Sequence, residues 1–173
     1  MAEYYTTERS EHEEKDQLKQ LVGFMLGGEL FGVDILMVQE IIRSPDITHV
    51  PNTPDFVEGV INLRGNIIPV IDLRRRLNMP TVEHKELGKN RDWILILTID
   101  KRITGFIVDL VTEVLKIDEK TVEPPPDIIV SGLENQYITG VCDTGKHLLI
   151  LLNFNRILLS EEMRKLKDMD IAA

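Results

Sequence analysis

The chain has 173 residues, 43% of them hydrophobic and 28% charged, with a formal net charge of −9. That is the composition of a soluble globular protein with one or two small domains and a core of its own. The negative balance argues against nucleic acid and anionic membranes, because phosphate binding draws its affinity from Lys and Arg, and the one basic cluster, Arg74 to Arg76, is too short to outweigh it.

Residues 1 to 16 are acidic and lack an apolar period, which reads as a disordered tail. No basic segment followed by an apolar one is present, so no signal peptide is expected. The longest uncharged apolar runs, Trp93 to Leu97 and Leu148 to Leu152, are strand-length and far short of the roughly 18 residues of a membrane helix. A single Cys142 allows no internal disulfide, and the reducing cytoplasm is the expected compartment.

From Gln20 the chain shows two apolar runs around Gly27-Gly28-Glu29, a hairpin signal. Asp34 then opens Ile35 to Ile42, whose spacing fits either one helical turn followed by a strand or a single short helix. The segment Phe56 to Leu77, FVEGVINLRGNIIPVIDLRRRL, reads as a second hairpin: two Val- and Ile-rich runs flank a polar tip, Asn62-Leu63-Arg64-Gly65-Asn66, with Gly65 supplying positive φ. Asp72 is placed to cap a short basic helix, Leu73 to Met79. After the polar stretch 80–92, Trp93 to Asp109 gives strand, polar turn at Asp100-Lys101-Arg102, and strand. Pro124-Pro125-Pro126 marks an extended loop. Ser160 caps a last helix over about 160–169.

The chain repeats itself. Tyr137 to Leu158 aligns with Phe56 to Leu77 at a constant interval of 81 positions, matching Gly59 with Gly140, Val60 with Val141, Asp72 with Asn153 and Arg75 with Arg156. A looser match at 73 pairs Gly32 with Gly105, Val38 with Val111, Glu40 with Glu113 and Pro51 with Pro124, so the second half carries eight extra residues near the prolines. Such an interval is too long for a solenoid and means paired subdomains, about 20–79 and 92–159, within one domain spanning 17–173. About five short strands and a short helix close most economically as a small barrel, which hides its edges, and two barrels packed together leave a groove.

Familiar catalytic chemistry is missing from the pattern. Gly140 to Lys146 satisfies seven positions of a phosphate-binding loop, but His147 stands where a Ser or Thr must ligate magnesium and a strand-like run follows where a helix is needed. The four histidines, His12, His49, His84 and His147, are scattered, with no metal spacing among them, and read as surface residues. The lone thiol has no identified base and no nucleophile elbow is present, so no catalytic residue, metal or cofactor is expected.

The strings GVDILMVQEI and TPDFVEGVINLRGNIIPVIDLRRRL strongly resemble the CheW family of chemotaxis coupling proteins, over about Gln17 to Asp168. The most diagnostic residues are Asn62-Leu63-Arg64-Gly65 and Pro69-Val70-Ile71-Asp72-Leu73. With nothing matching a receiver domain, the resemblance is to CheW and not to the two-domain CheV proteins. It implies a mainly β fold of two intertwined five-stranded SH3-like barrels with short helices and a C-terminal helix. The exchange of strands between barrels comes from the resemblance alone.

The resemblance implies a non-enzymatic cytoplasmic adaptor that couples transmembrane chemoreceptors to the histidine kinase CheA and joins receptor arrays through its partners, without entering the membrane. The receptor's helical tip would dock in the groove between the barrels, and one barrel would pair with the regulatory barrel of CheA. Carried onto this sequence, the family points to Glu40 and Arg64 as an ion pair ordering the receptor-binding surface. Val38 and Ile41 are its apolar candidates, while Ile35 and Met37 fit a core role. Asn62, Gly65 and Asn66 are turn formers first and partner contacts second. The competing reading from another class is an enzyme or small-molecule-binding barrel that uses the groove as its pocket. A regulatory module cut from a CheA-like kinase fits less well, since the chain begins with Met and an acidic tail and ends in a capped helix.

Overall fold

The structure is a computed structural model that describes residues 18–43, 45–79, 93–125 and 137–158. The acidic tail, the 80–92 stretch, the residues from Pro126 to Gln136 and the helix expected at 160–169 lie outside the described residues.

Ten strands are described: β1 Leu18–Leu26, β2 Glu29–Asp34, β3 Val38–Arg43, β4 Val57–Leu63, β5 Asn66–Asp72, β6 Trp93–Ile99, β7 Arg102–Val108, β8 Leu110–Asp118, β9 Ile138–Asp143 and β10 Leu148–Leu152. Turn chemistry sets the hairpins. β1 and β2 join through Gly27 and Gly28 at φ 57° and 84°, and β4 and β5 through Arg64 and Gly65 at 51° and 85°. β6 and β7 join through Asp100 and Lys101 at 48° and 64°. Both central residues at positive φ is what a two-residue type I′ turn requires, and it matches the strands' own twist. The ambiguous Ile35–Ile42 segment resolves as a single 3-10 turn, Ile35–Met37, followed by β3.

The strands form two five-stranded sheets, ordered β8-β1-β2-β10-β9 and β3-β6-β7-β5-β4. Each sheet combines a hairpin from one half of the chain with three strands from the other. The hairpin β1–β2 is slotted between β8 and β10, and the hairpin β6–β7 between β3 and β5. Exchanging each strand with its repeat mate turns one sheet order into the other. The two parallel pairings, β2 with β10 and β5 with β7, both join different halves, since sequence neighbours linked by tight turns can only pair antiparallel.

Each sheet curls towards closure through one added bridge, Thr48 with Val60 and Glu123 with Val141. Gly59 and Gly140, the glycines matched across the repeat, lie beside these bridges. A Cβ on Gly59 would overlap the Thr48 carbonyl oxygen, and one on Gly140 would stand 2.9 Å from the Glu123 oxygen.

Three apolar cores follow. Leu21, Ile117, Cys142, Leu149 and Leu151 fill the first barrel, and Ile61, Ile68, Val70, Ile94 and Ile96 the second. A larger core between the barrels takes Phe24, Phe31, Leu95, Phe106 and Phe154 from both halves of the chain. The continuous apolar runs therefore have a reason. In β6, Ile94 and Ile96 enter the barrel core while Leu95 and Leu97 enter the shared one, so neither face meets water.

After β5 the helix Leu73–Arg76 starts at Asp72, whose Oδ1 accepts from Arg74 N at 3.1 Å; at the equivalent helix, Phe154–Ile157, Asn153 makes no such side-chain bond. Arg76 is buried, donates from Nε to the Ile157 carbonyl at 2.6 Å, and lies 5.1 Å and 4.8 Å from the ring centroids of the repeat mates Phe56 and Tyr137. Arg74 is also largely buried, so the basic run in the sequence is not a basic surface patch.

Candidate functional site

The site begins where the chain crosses between sheets. Asp34 Oδ1 accepts from Leu36 N at 2.9 Å, capping the 3-10 turn that carries the chain from β2 of the first sheet to β3 of the second. β3 is an edge strand, and a register shift between Val38 and Glu40 decides which way its side chains face. Val38 pairs with Leu97 and Ile41 with Leu95, both residues of the shared core. Glu40 and Ile42 stand opposite Ile96 and Ile94, which belong to the barrel core. Val38 is half-buried, whereas Ile41 is 36% exposed and extends the shared core to the surface. Ile35 and Met37 pack partly buried against that core, the role expected of them.

The hairpin tip approaches β3 from the same barrel. Asn62 Oδ1 accepts from Gly65 N at 2.9 Å, which steadies the turn and offsets the cost of holding Arg64 in the left-handed region. Arg64 Nη2 then reaches Glu40 Oε1 at 2.9 Å, with the Arg64 side chain 76% and that of Glu40 26% exposed. At that exposure the pair contributes only about 0 to 1 kcal/mol. Its effect is geometric, in that it ties the tip of β4–β5 to the edge strand. Asn62, Gly65 and Asn66 are exposed at this tip, and Ile67 beside them is 44% exposed.

β8 adds residues that sequence reasoning passed over. It is the edge strand of the other barrel and the repeat mate of β3. Val111 pairs with Phe24 and Val114 with Val22, again residues of the shared core, and Leu110 and Val114 are 50% and 51% exposed. The signal was present in the 73-residue interval, which pairs Ile41 with Val114 as it pairs Val38 with Val111. The ion pair is not repeated, because Gly145 occupies the position matching Arg64 and leaves Glu113 without that partner.

Other candidates dissolve on inspection. Gly140 to Asp143 lie in β9, Asp143 Oδ1 accepts from Gly145 N at 2.8 Å, and the loop leads straight into β10. An open pocket of about 560 Å³ is lined by Asp55, Arg75, Asn78 and Met79, not by β3. Its Arg75 is already balanced by Glu58 at 3.7 Å and Asp72 at 3.5 Å. Among the described residues no group of His, Cys, Asp and Glu could hold a metal ion, and no helix is long and apolar enough to cross a membrane.

Residues 20–162 match the family model of the CheW-like domain. The chain belongs to the CheW family. The chemotaxis protein CheW of Klebsiella aerogenes is 40% identical over 140 residues, covering 81% of each chain. That of Treponema pallidum is 34% identical over 154 residues, covering 89% of this chain and 90% of its own. The crystal structure of the scaffolding protein TtCheW from Thermoanaerobacter tengcongensis superposes with a TM-score of 0.72 at 38% identity, over 83% of this chain and 90% of that one. The two intertwined sheets are thus the two SH3-like subdomains of a CheW chemotaxis scaffold.

Proposed function

We propose that this CheW-family scaffold is a non-enzymatic cytoplasmic adaptor that couples transmembrane chemoreceptors to the histidine kinase CheA. The observation that carries the reading is the edge of the second barrel: partly exposed Val38 and Ile41 continuous with the shared core, beside an Arg64–Glu40 pair that joins edge strand to hairpin tip. An accessible apolar strip at the margin of a core suits a receptor's helical tip, which binds by laying an apolar face into a groove. Val111 and Val114 offer a related strip on the other barrel. Glu40 and Arg64 order the surface, and Asn62, Gly65 and Asn66 shape the tip that presents Arg64. The regulatory barrel of CheA is the second partner.

The test is autophosphorylation of CheA from ATP, with receptor-containing membranes and with this protein present or omitted. Stimulation that requires all three components and falls on adding attractant is the expected result. Arg64→Ala should abolish that stimulation while leaving the melting temperature within a few degrees, since an exposed pair contributes little to stability. A folded wild-type protein that neither stimulates the kinase nor sediments with receptors and CheA would remove the coupling role. An Arg64→Ala protein that stimulates normally would remove Arg64 from the surface.

A further inference from the structure

The halves match strand for strand, but one contact between the barrels is present on one side only. Arg74, on the helix after β5, forms an ion pair with Asp109, the single residue between β7 and β8 where the chain passes from the second sheet to the first. The carboxylate is shared: Asp109 Oδ2 also accepts from Gly27 N at 2.9 Å, in the β1–β2 turn of the first barrel. Asp109 N donates to the Met25 carbonyl at 3.0 Å. The pair is well screened from solvent, with Arg74 15% and Asp109 21% exposed, and Arg74 Nε finds no hydrogen-bond partner among the described residues.

The pseudo-equivalent positions carry no such device. Intervals of 73 and 81 place Leu36 where Asp109 stands, Asn155 where Arg74 stands and Asp100 where Gly27 stands. Leu36 is 89% exposed. One crossover between sheets is therefore tied to the opposite barrel by charge; at the other, Asp34 pairs at 3.6 Å with Lys19 of its own sheet. A largely buried ion pair is a poor source of stability, because desolvation offsets its Coulombic attraction and apolar packing of the same volume does as well. What it does supply is direction. A guanidinium held to one carboxylate accepts few arrangements of the two barrels.

We propose that the Arg74–Asp109 pair is a positioning device that sets one barrel against the other and so holds the receptor-binding surface together. This rests on the coupling function proposed above. Asp109 leads directly into Leu110, Val111 and Val114 on β8, and Arg74 follows the β4–β5 hairpin whose tip carries Arg64. The pair thus joins the two elements that present the apolar strip of one barrel and the ordered tip of the other. Binding that engages both barrels depends on it, while binding that engages one barrel does not.

The test uses the full chain with Arg74→Met and Asp109→Asn together, which removes both charges and leaves an amide oxygen to accept from Gly27. Affinities are measured for a soluble receptor cytoplasmic hairpin and, separately, for the isolated regulatory domain of CheA. The expected result is about a tenfold loss towards the receptor, near 1.4 kcal/mol, with kinase affinity unchanged within about twofold. Arg74→Lys, which keeps the charge, should restore most of the receptor affinity. If the double variant melts early, Arg74→Gln with Asp109→Asn, which likewise leaves no unpaired charge, is read in the same way. Receptor affinity equal to wild type, or equal losses towards both partners, overturns the positioning role while leaving the coupling function in place. A wild-type chain that binds neither partner overturns both.

Discussion

Gly59 and Gly140 occupy the same place in the two barrels, and each is glycine because another strand's backbone passes where a Cβ would be. Their match across the repeat was visible as a pair of letters, but the reason was not, since it lies in the isolated bridges Thr48–Val60 and Glu123–Val141, which no local pattern announces. Gly59→Ala should break the Thr48–Val60 bridge and destabilise the fold by about 1 to 3 kcal/mol, the usual cost of overpacking, or roughly 2 to 12 °C in melting temperature. Thermal unfolding followed by circular dichroism checks it, and an unchanged melting point would mean that the bridge does not close the barrel. Arg64 stands at the opposite extreme of legibility. Family likeness marked its pairing with Glu40, and the structure shows the 2.9 Å contact. Physical reasoning on the sequence alone left a solvated hairpin residue, because nothing local says that β3 lies within reach of the tip.

At the level of elements, the hairpins were legible because their turns are local. A two-residue connection with positive φ at both positions constrains its own strands, whatever the rest of the chain does. The Ile35–Ile42 segment was not legible, because eight apolar-rich residues satisfy a helical and an extended period equally well until a partner strand is known. The two short helices show that matching letters need not match in bonding. Asp72 caps its helix through Oδ1, while Asn153 at the equivalent position makes no side-chain bond. Asp72→Ala should cost about 1 kcal/mol by urea denaturation, and Asn153→Ala only a few tenths. Equal losses from the two would show that the caps are equivalent in solution. Exposure sorts β3 and β8 in a similar way. Their repeat relation could be read from the sequence, but that their apolar residues reach solvent instead of completing a core depended on both being edge strands.

For the whole molecule, the strand exchange has a direct consequence: neither half contains a complete sheet. Residues 1–79 hold β1 to β5 without β8 and β10 to flank the first hairpin, and the remainder lacks β3 and β5 to flank the second. Expressed separately, the two halves should be largely unfolded, and mixed they should give one cooperative transition with the circular dichroism of the intact chain. A half that folds alone with a sharp transition would contradict the exchange. The shared core points the same way, since its aromatic residues come from both halves and Phe24 of the first meets Phe154 of the second, their ring centroids 6.5 Å apart.

The sequence by itself determined the hairpin strands and their turns, the duplication, the paucity of positive charge available to bind phosphate and, through family likeness, membership of the CheW family. These follow from local chemistry: β-branched runs, turn residues with positive φ, a cap, and a count of charges. The tertiary structure alone decided which strands share a sheet, which faces of β3 and β8 look towards the shared core, and that Arg74 and Arg76 lie inside the molecule. It also decided that the two-fold likeness is broken by one ion pair between the barrels. The reason is that a strand's hydrogen-bonding edges carry no address. A repeat mate offers the same backbone and nearly the same apolar pattern as the strand it replaces, so partner choice depends on which arrangement buries all three cores together.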